Sequence, residues 1–512
     1  MYQHGYIKQD INSYDRSNSG ITRQLVISTI IPLIGSSVPM GYGIGVMNSP
    51  QSVIRSWIQE GLFKNYDITL TSHQNIMLWS SVISIFLVGS TFGGLKGGAL
   101  ADKIVRRKAF MFNHLLCLFS CLIFILCKFY QAPELLLISQ LLLGTSAGIS
   151  SCLVPVYLSE IEPKSFQGMA VIHAFGISLG TFISQICGMS TVLGSADSWP
   201  FLACVPLSCA LLALMLHPYL QESPCFETAD KKDKFHRQPL INNINKKKRN
   251  ETKPLLSTVF VDIDQKDPVK YNFSRLLKDR SLHKPILLTF LLYIITVFSG
   301  LYAIVAFGNI VFTSAGLNQQ QSEIASICAT GLQCIMGIIS IFLNKKCRRK
   351  PRLLTSFGGC IVSLVMLMLF LGSEGSVASY MAIISCALYF IFYAIGIGAL
   401  PDTISVELLP EEPRPLVISL ATGLFWISNI LVGTSFPLVQ SSIGEYSIIF
   451  FILSCICSAL IFYFYLPETF TNDAETENRN LTENNNVTNV TDNNQKNKSS
   501  FNQRIYGSYI EI

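Results

Sequence analysis

The turns Gly98-Ala99-Leu100-Ala101-Asp102-Lys103-Ile104-Val105-Arg106-Arg107 and Asn344-Lys345-Lys346-Cys347-Arg348-Arg349 are each wedged between apolar segments of helical length, in matching places of the two halves of the chain. Lysine and arginine in short loops are retained on the cytoplasmic face of a membrane. A basic turn repeated at one place in two hydrophobic halves therefore predicts a duplicated membrane protein. In such a protein two helical bundles rock against each other around a shared site near the midplane.

The surrounding composition agrees. The 512 residues are 50% hydrophobic and only 14% charged, with a mean hydropathy of +0.43, which excludes a string of soluble domains. Apolar residues come in blocks of about 20, the length that crosses roughly 30 Å of hydrocarbon as a helix. Spans are predicted at 24–47, 76–98, 109–128, 134–157, 168–190, 199–218, 285–313, 322–343, 352–372, 378–401, 415–438 and 444–466. The expected fold is an all-α membrane protein with twelve transmembrane helices. Its organisation is a cytosolic N-terminus (1–23), a six-helix bundle (24–218), a cytosolic linker (219–284), a second six-helix bundle (285–466) and a cytosolic, mostly disordered tail (467–512).

With alternating spans, Lys103/Arg106/Arg107/Lys108, the lysine-rich linker and Lys345/Lys346/Arg348/Arg349 all fall on one side, so both termini are expected in the cytosol. The polar segment before Thr22 lacks the apolar core of a signal peptide, so the first span is expected to stay. Those loops account for the net charge of +6, which implies no nucleic-acid partner. The 15 cysteines lie mostly inside spans without metal-type spacing and are expected to act as small apolar residues. Sequons at Asn480, Asn486, Asn489 and Asn497 fall in the tail and should stay unmodified on the cytosolic side.

Charges at the span ends carry the next signal. Asp102 follows Gly98 by one helical turn, with Arg106 and Arg107 just beyond; Arg348 and Arg349 repeat the cations in the second half. Acids stand at matching ends: Glu160 and Glu407 close the fourth and tenth spans, and Glu222 and Glu468 follow the sixth and twelfth. Simple topological anchoring is one explanation; a gate is the other. Exposed pairs contribute only about 0–1 kcal/mol, whereas a shielded network that differs between two conformations needs only a few kcal/mol to shift their populations.

From about 24 to 470 the chain resembles the facilitative glucose transporter family, the sugar-porter branch of the major facilitator superfamily. The resemblance rests on the order of Gly41-Tyr42-Gly43-Ile44-Gly45-Val46-Met47-Asn48-Ser49-Pro50-Gln51, Gly98 to Arg107, Val154-Pro155-Val156-Tyr157-Leu158-Ser159-Glu160-Ile161 and Glu222-Ser223-Pro224. Phe298-Ser299-Gly300, Gly396-Ile397-Gly398-Ala399-Leu400-Pro401, Glu407-Leu408, Pro413-Arg414-Pro415, Trp426-Ile427-Ser428-Asn429 and Pro467-Glu468-Thr469 follow in turn. The resemblance implies a central sugar cavity, energy-independent uniport of a hexose or similar polyol, and gating through the charges above with Arg414 added. It also implies a plasma-membrane protein working as a monomer in the lipid bilayer, with no cofactor.

The chain departs from this family where a sugar would bind. Thr296-Val297 replace paired glutamines in the seventh span, Tyr302 replaces an asparagine, and Ala174 replaces a glutamine beside His173. The eighth-span asparagine falls near Leu332. Ala394 stands for a glutamate, Asp402 for a tryptophan, and Phe425 for an asparagine, while Asn429 keeps its match. At the gate, Gln140, Gln167 and Cys225 occupy positions where arginines are usual. The candidate substrate residues are Asn429, Trp426, Thr296, Ser299, Tyr302, Gln185, His173 and Asp402, each with interhelical packing as the alternative role. A carboxylate inside hydrocarbon is costly and usually functional, so Asp402 is read as contacting substrate or titrating during transport, against a purely structural hydrogen bond. The lost amides keep two alternatives open: a non-transporting sensor or interaction protein on the same fold, or a transporter of a different small polar solute with proton coupling through Asp402. No nucleophile and base pair or phosphate-binding loop points to an enzyme.

Overall fold

Twelve helices in the structure, a computed structural model, are long and apolar enough to cross a membrane. The structure describes residues 22–69, 71–103, 105–163, 168–223, 273–305, 318–371, 373, 376–410 and 412–469. The spans are α1 (Arg23–Gly45), α2 (Met77–Gly98), α3 (Arg106–Phe129), α4 (Pro133–Ile161), α5 (Val171–Gly188) and α6 (Trp199–Tyr219) in the first half. In the second half they are α7 (Arg280–Val305), α8 (Gln320–Asn344), α9 (Arg349–Leu371), α10 (Val377–Leu408), α11 (Arg414–Phe436) and α12 (Gly444–Tyr465). The described residues are thus all-α, with no strand among them. All twelve expected spans are present within a few residues of their predicted bounds. The exceptions of substance are α10, which continues to Leu408 rather than ending at 401, and α7, whose expected end at 313 lies outside the described residues.

The N-terminus before Thr22, most of the linker and the tail beyond Thr469 also lie outside the described residues. The expectations of a disordered tail and unmodified sequons fall there. Sequence reading also missed the helix Gln51–Tyr66 between α1 and α2, which ends at Asp67 in the left-handed conformation (φ 56°).

Three spans are interrupted. In α1 the segment Leu33–Ser37 widens into a π-helix between Pro32 and Pro39, whose missing N–H groups disturb the regular ladder. In α7 the helix stops at Phe298 and restarts after Gly300, which takes the φ of +100° that a side chain would resist. In α10 it stops at Ile395 and restarts at Leu400, with Gly396 and Gly398 in the gap. Backbone groups freed inside hydrocarbon must find partners within the protein. At the α10 gap Ser356 of α9 supplies them: its hydroxyl donates to Phe392 O (2.7 Å) and accepts from Ile397 N (3.0 Å).

The halves meet along α2 against α11 and α5 against α8. Two apolar clusters centre on the first half and one on the second, and a smaller one joins the halves at the basic end, where Cys152 and Val156 of α4 pack with Val406 of α10 and Val417 and Ile418 of α11. Gly98 sits at the crossing of α2 and α11. The Ser419 hydroxyl donates to Gly94 O (2.7 Å) and Leu95 O (3.0 Å) and accepts from Gly98 N (3.1 Å). A Cβ on Gly98 would collide with Ser419 Cβ and come within 2.7 Å of Pro415 O.

That crossing yields a test. Gly98→Val is expected to fold yet hold α2 away from α11, opening the seam around Cys152, which is buried with its Sγ 3.9 Å from Pro415 O. Thiol labelling of the purified protein, read by mass spectrometry of the Cys152 peptide, should proceed several-fold faster in the variant. Equal rates would show that this contact does not set the approach of the halves.

Candidate functional site

At the basic end the predicted charges form two equivalent pairs, one in each half. Arg106 at the start of α3 grips Glu160 at the end of α4 through two bonds, Nη2 to Oε1 at 2.6 Å and Nε to Oε2 at 3.1 Å. Arg349 at the start of α9 meets Glu407 at the end of α10, with Nη2 and Nε 3.0 and 3.3 Å from Oε1. Both arginines are buried, so these are shielded pairs rather than surface ones. Glu222 lies at the N-terminus of α3, where its carboxylate accepts from Arg107 N (3.4 Å) and complements the helix dipole. The Arg107 side chain donates to Pro218 O (3.2 Å). Arg348 is exposed, and no carboxylate among the described residues pairs with it. The side chains of Asp102, Gln167 and Cys225 lie outside the described residues, and exposed Glu468 begins a separate unit, Glu468–Ile512.

Contacts between the halves at this end are made by other groups. Arg414 Nη1 reaches Ser159 Oγ at 3.5 Å, while its Nη2 donates to Leu409 O (3.0 Å). Asn344 donates through Nδ2 to Gly168 O of the first half (2.8 Å), and its own oxygens accept from Arg349 and Arg352. Gly168 has φ +82°, so a side chain there would be strained as well as obstructed by Asn344. Sequence reading overlooked Glu162, whose Oε2 accepts from both Gly168 N and Met169 N at 3.0 Å. Burial raises its carboxyl to about 7, with Glu407 pushing the same way and the two amides and Arg414 opposing. Gln140 does not belong to this rim: it lies 20 residues before Glu160 in α4, about 30 Å along the helix, buried beside Tyr42 and Leu202.

Between the halves lies a cavity. Its walls come from α1 (Met40, Ile44), α4 (Ser151), α5 (His173 to Ser178), α7 (Tyr293, Thr296, Leu301), α8 (Gln333), α10 (Tyr393 to Asp402) and α11 (Phe425). All three interrupted spans, α1, α7 and α10, therefore border it, as expected where irregular backbone lines a wet space. Asp402 stands in the first turn of Leu400–Leu408, where a helix N-terminus favours negative charge. Its Oδ1 accepts from Tyr293 OH at 2.7 Å. His173 shares a 2.8 Å hydrogen bond with Ser37. The hydroxyls of Thr296, Ser178 and Ser151 donate to carbonyls of their own helices.

Of the eight predicted substrate residues, the structure brings His173, Thr296 and Asp402 to this cavity. Trp426 stands one layer behind, its Nε1 donating to Ser151 Oγ (3.3 Å). Asn429 turns back to Phe425 O (2.9 Å), and Ser299 bonds Thr296 O and the Tyr389 hydroxyl. Tyr302 packs into the core against Gly433, and Gln185 lines a separate small space with Ile304 and Thr330. The cavity residues that sequence reading missed are Tyr293, Tyr393 and Gln333. Gln333 had a signal: it is the one amide between Gln321 and Asn344. Its Oε1 is buried without a hydrogen-bond partner.

Residues 28–481 match the family model described as "Sugar (and other) transporter". The chain is 27% identical to facilitated glucose transporter member 5 of solute carrier family 2 from Mus musculus over 461 residues, covering 88% of this chain and 90% of that protein. It is also 27% identical to member 7 from Homo sapiens, covering 87% of each. Among solved structures, the proton:xylose symporter XylE bound to 6-bromo-6-deoxy-D-glucose superposes with a TM-score of 0.68 at 18% identity, over 87% of this chain and 96% of that one. A partially occluded inward open conformation of XylE from E. coli gives 0.65 at 18%, over 88% and 100%.

The rim predicts a pH effect. A Glu162 carboxyl raised from 4.5 to about 7 is protonated in the packed rim where it would be ionised in water. Its contribution is therefore fully present below the ordinary value and lost as the pH rises through about 7, worth about 1–2 kcal/mol after discounting for screening. Thermal unfolding in detergent should show native protein losing stability, relative to Glu162→Gln, between pH ~5 and ~8. Parallel pH curves for the two proteins would contradict this.

Proposed function

We propose, because this chain belongs to the sugar (and other) transporter family, that it moves a hexose or similar polyol across a membrane by facilitated diffusion. The observation that carries the proposal is the cavity between the halves, walled by seven spans of both halves and bordered by broken helices. A site so placed is offered first to one face and then to the other as the bundles rock. In this reading 24–218 and 285–466 are the moving units and 219–284 links them.

The buried Arg106–Glu160 and Arg349–Glu407 pairs then stiffen the inner end of each bundle. The weaker contacts of Arg414, Asn344 and Ser419 close one bundle on the other, and Arg107, Glu222 and Arg348 are assigned supporting places on the same charged face. His173, Thr296, Asp402 and Gln333 are assigned to substrate directly; Trp426 positions Ser151, and Asn429, Ser299, Tyr302 and Gln185 support the wall. The basic turns argue for cytosolic termini and the relatives' class for the plasma membrane; a single chain encloses the whole cavity, in keeping with a monomer.

Counterflow tests this reading against the sensor. Proteoliposomes loaded with unlabelled hexose or hexosamine should transiently accumulate the labelled form with no ion gradient. Gln333→Leu, which removes the cavity amide, should raise the half-saturating concentration about tenfold, as expected for loss of one hydrogen bond of roughly 1–1.5 kcal/mol. Ligand binding without exchange of label would favour the sensor.

A further inference from the structure

We propose that the cavity takes a hydroxylated amine, an amino sugar in its cationic form, with the ammonium group seated on Asp402. This rests on the transport reading and narrows its substrate class.

The first observation is the charge. Asp402 faces the cavity with a single hydrogen-bond partner, the Tyr293 hydroxyl, and no positive side chain pairs with it among the described residues. The only other ionisable groups on the described walls are His173, held by Ser37, and the phenols Tyr293 and Tyr393. When the bundles close on a neutral sugar, water leaves and this carboxylate is left desolvated beside apolar walls, a penalty of several kcal/mol per ion. An ammonium group on the ligand removes that penalty by pairing with it.

The second observation is the direction of the hydrogen bonds. The hydroxyls of Ser151, Ser178, Thr296 and Tyr293 spend their protons inside the protein, on Ala147 O, Ala174 O, Leu292 O and Asp402 respectively. Gln333 Oε1 is a buried acceptor with no donor. The wall is thus rich in acceptors and calls for a ligand rich in donors. An ammonium carries three.

The third observation is the rings. Tyr293, Tyr393 and Phe425 line the same end as Asp402, and Tyr293 meets Phe425 edge to face, with centroids 6.4 Å apart at 89°. Aromatic faces attract a desolvated cation.

The experiment compares three ligands of one ring geometry in counterflow with the full-length protein: glucosamine, at a pH where its amine is protonated, N-acetylglucosamine and glucose. Glucosamine is expected to exchange at least about tenfold faster than either neutral sugar at subsaturating concentration. In Asp402→Asn the ratio of glucosamine to N-acetylglucosamine exchange should fall by about the same factor, and Asp402→Glu, which keeps the charge, should preserve the preference. Should Asp402→Asn fail to fold, the ratios in native protein and in Asp402→Glu still decide. Neutral sugars exchanging as fast as glucosamine would overturn the ammonium site while leaving transport standing. So would neutral-sugar uptake that requires a proton gradient and loses that requirement in Asp402→Asn, since Asp402 would then carry a proton instead. Exchange of none of the three would overturn transport and this proposal together.

Discussion

Inside hydrocarbon every backbone N–H and C=O must find its partner within the protein, and this architecture follows from how that demand is met. Nine spans satisfy it by running as unbroken helices. The other three break, and each break is paid for locally. The Ser356 hydroxyl bridges Phe392 O and Ile397 N at the α10 gap, Gly300 absorbs a positive φ in α7, and the π-turn of α1 rebuilds its ladder between two prolines. The α10 break frees the short helix Leu400–Leu408, which presents its N-terminal turn, and with it Asp402, to the cavity. Without the gap, residue 402 would be one more position on a continuous helix.

Within this frame strong and weak contacts are divided in a consistent way. The bidentate Arg106–Glu160 pair and the Arg349–Glu407 pair each lie within one half. Removing one partner of such a buried pair costs about 3–5 kcal/mol, so these pairs hold the ends of α3 to α4 and of α9 to α10 rigidly. Between the halves the contacts among the described residues include hydroxyl to carbonyl and amide to carbonyl bonds and a long Arg414 to Ser159 contact. Each neutral bond is worth about 0.5–1.5 kcal/mol net. A few of them sum to the modest bias that keeps two conformations interconvertible, whereas a bidentate pair across the seam would lock one of them.

The spans and the two basic turns were legible in the sequence because hydropathy and loop charge depend on composition over some twenty residues and tolerate small errors of register. The Gly98 crossing was legible too, since only a small residue permits that approach to Ser419. The cavity was legible only in part: His173, Thr296 and Asp402 line it but the other candidates do not, because lining a cavity depends on rotation about a helix axis, and one residue turns the side chain by about 100°. Leu332 was singled out in α8, but its neighbour Gln333 faces the space. In α11 the Asn429 amide bonds Phe425 O one turn back, and Phe425 itself forms the wall. Glu162 gave no pattern at all: its role depends on the chain returning at Gly168, which only the tertiary structure reveals.

Asp402 shows how local and global terms combine. A helix N-terminus stabilises a nearby carboxylate by about 0.3–1 kcal/mol, up to about 2 in partly buried settings, and a hydrogen bond from Tyr293 adds a similar amount. Their sum favours the carboxylate while the cavity is wet. It does not reach the several kcal/mol needed to strip water from an unpaired carboxylate. A cycle that closes over this residue must therefore bring a positive charge with it, on the ligand or as a proton. The acceptor-rich wall and the three aromatic rings beside Asp402 favour the ligand, because a bare proton would gain nothing from either.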